Sequence, residues 1–97
     1  AMQALVARQK ELGKSLYQLK HLAPSHENVQ ELVDQHYQNT RKLWGTHQAA
    51  DKQAEAYQGL GQLYLTDERF TYESGVPDPD FRIFISEAMS IYSASLR

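Results

Sequence analysis

The sequence contains no cysteine. That excludes disulfides, thiol nucleophiles and cysteine-based zinc sites, and it fits a reducing, cytoplasmic location. Basic charge is not in excess: 10 Lys and Arg stand against 12 Asp and Glu, a formal net charge of −2. Nothing in that balance draws a nucleic-acid backbone toward the protein. No apolar run approaches the roughly 18 residues a membrane span needs, and no secretory signal is visible. No segment alternates apolar and polar residues as a half-buried strand does.

What remains is a helical pattern in 97 residues, 41% of them hydrophobic. That length suits one domain with one modest core. Ala1-Met2 reads as a remnant of expression ahead of a start or internal methionine. From Met2 to about Leu22, Leu5, Leu12, Leu16 and Leu19 fall near one helical face. Residues 1–24 are therefore set apart as an N-terminal helix that docks on the core, forms a linker, or starts a coiled-coil seam in a homodimer. Pro24 ends it, and Ser25 is the expected N-cap of a second helix reaching Trp44. Its stripe runs Val29, Leu32, Val33, His36, Tyr37, Thr40, Leu43 and Trp44, and Gly45 closes it. A third helix is expected from Ala54 to Leu65 and a short one from Asp67 through Tyr72. The last starts at Asp78-Pro79, with Asp78 as cap and Pro79 in the first position, and runs to about Ser95. The expected fold is all-α, with four to five helices; residues 25–97 form its main body.

Gly59-Leu60-Gly61 resembles a phosphate loop only superficially. A dinucleotide fingerprint needs a third glycine and a preceding strand, and a Walker loop needs a lysine; neither is present. Two glycines inside a helix instead point to close approach, by another helix or by a ligand. The histidines, His21, His26, His36 and His47, have no metal-ligand spacing, and no nucleophile is paired with a base. No metal, no cofactor and no enzymatic activity are expected. His36 reads as a histidine at the core edge with one hydrogen bond, or one that donates into a pocket. Six Tyr, three Phe and one Trp are the more informative feature. Phe residues and Trp44 are most simply core. Tyrosines at a core boundary suit either a groove that stacks on a flat ligand or a protein partner's surface. The candidate ligand-binding residues are His36, Tyr37, Trp44, Tyr57, Gly61, Tyr64, Phe70, Phe84 and Tyr92.

His36, Trp44, the run YQGLGQLYLTDERFT from Tyr57 to Thr71, and the helix from Phe81 through Tyr92 form a recognisable set. On these, the chain from Val29 to Leu96 resembles the TipAS domain. That is the effector-binding domain of TipA-like members of the MerR family of transcriptional regulators. The resemblance implies a globin-like helical arrangement that binds bulky antibiotics or drug-like compounds in an inter-helical cleft. Capture would be coupled to transcriptional activation, or would sequester the drug as a resistance protein. It also implies a framework of His36, Trp44, Gly59, Leu60, Gly61, Tyr64, Arg69, Phe70 and Thr71. The chain departs from the family in two ways. No winged-helix module precedes Met2, so DNA contact is expected only through a separate N-terminal module. The domain also reads as a shortened form, whose cleft would be open or completed by a second subunit.

Overall fold

A computed structural model of the chain describes residues 2–66 and 79–96. Among them are four α-helices: α1 (Met2–Gln18), α2 (Glu27–Trp44), α3 (Ala54–Thr66) and α4 (Pro79–Ser95). The expected short helix from Asp67, the cap Asp78, and Arg69, Phe70 and Thr71 lie outside the described residues.

α1 runs antiparallel to α2. The side chains of Arg8 and Gln35, Gln9 and His36, and the Leu5 carbonyl with Asn39 meet across the pair. Leu12 and Leu16 are buried there. α3 packs on α4, and α4 on α2. The radius of gyration is 12.3 Å, close to the ~13 Å of a packed 100-residue domain. α1 is thus part of a compact all-α body. The core joins Leu16, Val29, Val33, Tyr37, Tyr57, Phe81, Ile85 and Met89.

α1 ends four residues earlier than its leucine spacing predicts. Beyond Gln18 the chain tightens into short turns, with amide bonds from Leu19 to the Leu16 carbonyl (3.0 Å) and from Leu22 to that of Leu19 (2.9 Å). These keep Leu19 and Leu22 packed against the core without continuing the helix. The N-cap of α2 is His26, not Ser25: its Nδ1 accepts the Asn28 amide at 3.0 Å. The C-terminus follows the expectation. Gly45 takes the left-handed conformation, φ 75°. Its amide bonds the Lys42 carbonyl and the Thr46 amide bonds that of Arg41, at 3.1 and 2.9 Å. These two bonds satisfy carbonyls that the helix end would otherwise orphan.

Gly61 answers the question the two glycines raised. A Cβ built there would lie 3.2 Å from the Cβ of Met89, so α3 and α4 approach through it. Gly59 faces open space, with nothing within 4 Å.

Candidate functional site

His36 stands in the middle of the molecule, 1% exposed, and not at the core edge. Its environment is built from three helices. Across α1, the Leu5 carbonyl can only accept, so the group facing it at 2.9 Å is the Asn39 NH₂. The same nitrogen lies 2.7 Å from Gln9 Oε1, which fixes the Gln9 amide in turn. Gln9 Nε2 therefore faces Thr40 Oγ1 at 2.8 Å and His36 Nε2 at 3.0 Å, as a donor to both. Thr40 passes its own hydrogen to the His36 carbonyl at 2.7 Å. His36 Nε2 must then be the acceptor, and the ring proton sits on Nδ1. From Nδ1 it is donated to the Tyr57 hydroxyl at 2.7 Å. The Tyr57 hydroxyl faces the Val33 carbonyl at 3.4 Å, and the Tyr64 hydroxyl lies 3.4 Å from His36 Nε2. Burial lowers the His36 pKa to about 4, so the imidazole is neutral near pH 7.

Around this histidine the tyrosines make one aromatic cluster. The Tyr37 and Tyr57 rings meet edge-on with centroids 5.2 Å apart, and Tyr92 packs 5.2 Å from Tyr37 and 6.1 Å from Tyr57. Tyr37, Tyr57 and Tyr64 are buried; Tyr92 is half-buried. Burial pushes the Tyr57 hydroxyl well above the usual tyrosine pKa, and the neighbouring Tyr64 and Tyr92 hydroxyls add to it. Tyr92 is raised as well, by burial and then by the Asp34 carboxylate that its hydroxyl bonds. Asp34 is partly buried and ties α2 to α4 through this bond.

The other candidate residues lie apart. Phe84 is buried against Phe81, ring centroids 6.3 Å apart. Trp44 is 39% exposed at the end of α2, so this indole is not core. Phe70 lies outside the described residues. His36, Tyr37, Tyr57, Gly61, Tyr64 and Tyr92 are the part of the set that the fold gathers.

Two features escaped the sequence. Gln9 completes the network, and its signal was its place in the α1 stripe, four residues after Leu5 and three before Leu12. Arg41 is buried at 7% exposure. Its Nη2 reaches the carbonyls of Thr46, Ala49 and Asp51 at 2.6, 3.0 and 2.9 Å, and Nη1 bonds the Tyr37 hydroxyl at 3.2 Å. Nothing in local spacing announces that role.

Among the described residues, two hollows open on the surface. One, of about 440 Å³, is lined by Asp51, Gln53, Ala54, Glu55 and Ala56. The other, of about 230 Å³, lies along α1 and α2 between Arg8, Asp34, Gln38 and Lys42. Neither is lined by the buried tyrosines or His36. Among the described residues no group of three or more His, Asp or Glu is placed to hold a metal ion, and no helix is long and apolar enough to cross a membrane.

Compared with known families, residues 1–92 match the model of the TipAS antibiotic-recognition domain. The matched span includes α1, which the resemblance from Val29 onward had left out. No curated protein and no solved structure matches the chain.

Proposed function

Because this chain belongs to the TipAS antibiotic-recognition domain family, we propose that it is an effector-binding domain. It captures a bulky antibiotic or drug-like molecule with flat aromatic surface. The family match over residues 1–92 is the observation that carries this reading. The tyrosine cluster supports it: rings and hydroxyls alternate there, and Tyr92 brings the cluster to the surface. A ligand that meets Tyr92 reaches Tyr37 and Tyr57 only when the helices part. Binding then selects a second, more open state, and its apolar burial must offset the cost of opening. In a MerR-type activator, that change of state would pass to a DNA-binding half. The helical body is in this reading a shortened version of the globin-like fold the family implies.

The test is a titration with thiopeptide, polyketide-peptide and planar aromatic antibiotics, followed by Trp44 fluorescence and calorimetry. Trp44 is the sole tryptophan, so the optical signal has a known address. Saturable one-site binding is expected. Absence of heat and of fluorescence change across the panel, in protein shown to be folded, would overturn the reading.

A further inference from the structure

The amide chain that fixes the His36 tautomer also has a mechanical consequence. From Leu5 O through Asn39 and Gln9 to His36 Nε2 each orientation dictates the next, with Thr40 Oγ1 as a second acceptor of the Gln9 amide. A proton added at Nε2 would point at the Gln9 NH₂ 3.0 Å away, donor against donor. Rotating the Gln9 amide would relieve that clash only by turning its nitrogen toward the Asn39 NH₂. Rotating Asn39 as well would set its oxygen against the Leu5 carbonyl. The amides therefore have no arrangement that accepts the proton, and the Tyr64 hydroxyl stands 3.4 Å from Nε2, beyond a strong hydrogen bond. Of the network's members, Gln9 and Leu5 belong to α1, while Asn39, Thr40 and His36 share α2.

From these contacts we propose that α1 is an acid-released helix: protonation of His36 undocks it from α2 while the rest of the body persists.

No carboxylate is in position to hold the imidazolium among the described residues. From α1 the ring meets Gln9 and from α3 the hydroxyls of Tyr57 and Tyr64, while Thr40 of α2 bonds the His36 backbone carbonyl. From α4, Tyr92 packs on Tyr57. The nearest acid on α2, Asp34, is bonded to Tyr92, and the buried cation Arg41 bonds Tyr37 and loop carbonyls. Once α1 leaves, Nε2 can meet water and return toward an ordinary histidine pKa near 6.5. The folded value of about 4 then favours undocking by up to a few hundred-fold as pH falls from 6.5 to 4. Release uncovers the Leu12 and Leu16 face, a new apolar surface that exists only in acid. The device needs no effector and stands independently of the function proposed above.

Native-state hydrogen exchange on the full chain from pH 7 to pH 4 tests it, with protection factors corrected for intrinsic exchange. α1 amides are expected to be less protected than those of α3 and α4 at every pH, and to lose up to a few hundred-fold protection toward pH 4. Gln9→Glu places a carboxylate oxygen opposite Nε2, which accepts from the imidazolium, so α1 should stay protected in acid. His36→Gln, which cannot titrate, should show no such loss and serves if Gln9→Glu does not fold. The proposal is overturned if α1 amides keep constant protection to pH 4. It is equally overturned if they exchange only together with α3 and α4, or if His36→Gln loses protection as the parent does.

Discussion

Two glycines two positions apart in α3, Gly59 and Gly61, carry opposite expectations. Gly59 is exposed with open space where a Cβ would stand. Gly59→Ala therefore gains helix propensity and nothing else, a stabilisation of about 0.5–1 kcal/mol. Gly61→Ala gains the same propensity but sets a methyl 3.2 Å from the Met89 Cβ. That atom is fixed to the α4 backbone and cannot swing aside as the end of a long side chain can, so the two helices must separate. Overpacking of this kind costs about 1–3 kcal/mol and outweighs the propensity gain. Urea unfolding of the two variants should give shifts of opposite sign; a stabilised Gly61→Ala would mean that the α3–α4 contact is soft. The sequence showed both glycines inside a helical pattern, but not which one a neighbour approaches. That depends on the position of α4, a long-range fact that no local spacing encodes. His36 was likewise visible as a polar residue in an apolar stripe, while its partner Gln9 is 27 residues away.

The helices were largely legible because each is amphipathic and bounded by local chemistry. Gly45 ends α2 and Pro79 opens α4 as their backbone preferences require. The cap of α2 was not: Ser25 and His26 both offer an acceptor, and it is His26 that takes the Asn28 amide. Less legible still was the segment between α2 and α3, for which the spacing predicts no element. Arg41 organises it from the last turn of α2. One guanidinium nitrogen serves three carbonyls, and the Tyr37 hydroxyl adds a bond to the Lys52 carbonyl at 2.6 Å. Gln53 follows with φ 58°, and its amide bonds Asp51 Oδ1 at 2.8 Å. A lysine ammonium is a point charge without the planar fork, and it cannot span those carbonyls. Arg41→Lys is therefore expected to destabilise by about 1–3 kcal/mol, since buried carbonyls lose their donors. The loss should appear as faster amide exchange over residues 46–53, with the helix content of α2 retained by circular dichroism. Unchanged exchange in that segment would show that Arg41 is not what holds it.

At the scale of the molecule, one buried neutral histidine sets a pH dependence that the exposed surface does not. The sign follows from the two end states. In the unfolded chain His36 has an ordinary pKa near 6.5; in the folded chain burial lowers it to about 4. Above pH 6.5 both states hold a neutral imidazole and the difference contributes nothing to the pH dependence. As pH falls below 6.5 the unfolded chain takes up a proton that the folded chain refuses, so stability declines. The decline ends near pH 4, where the folded chain is protonated too. The span corresponds to about 3 kcal/mol, a large share of the stability of a domain this small. It applies whether α1 departs first or the whole chain unfolds at once, because His36 is released to water in either case. Urea midpoints from pH 7.5 to pH 4 would read it, with His36→Gln as the reference. The variant loses the bonds to Gln9 and Tyr57 and so lies lower near pH 7. Its curve should nonetheless be flatter than the parent's below pH 6.5, because the carboxylates titrate alike in both. Parallel curves would mean that His36 is protonated in the folded state without cost, and that the interior around Tyr57 is more open to water than its packing indicates.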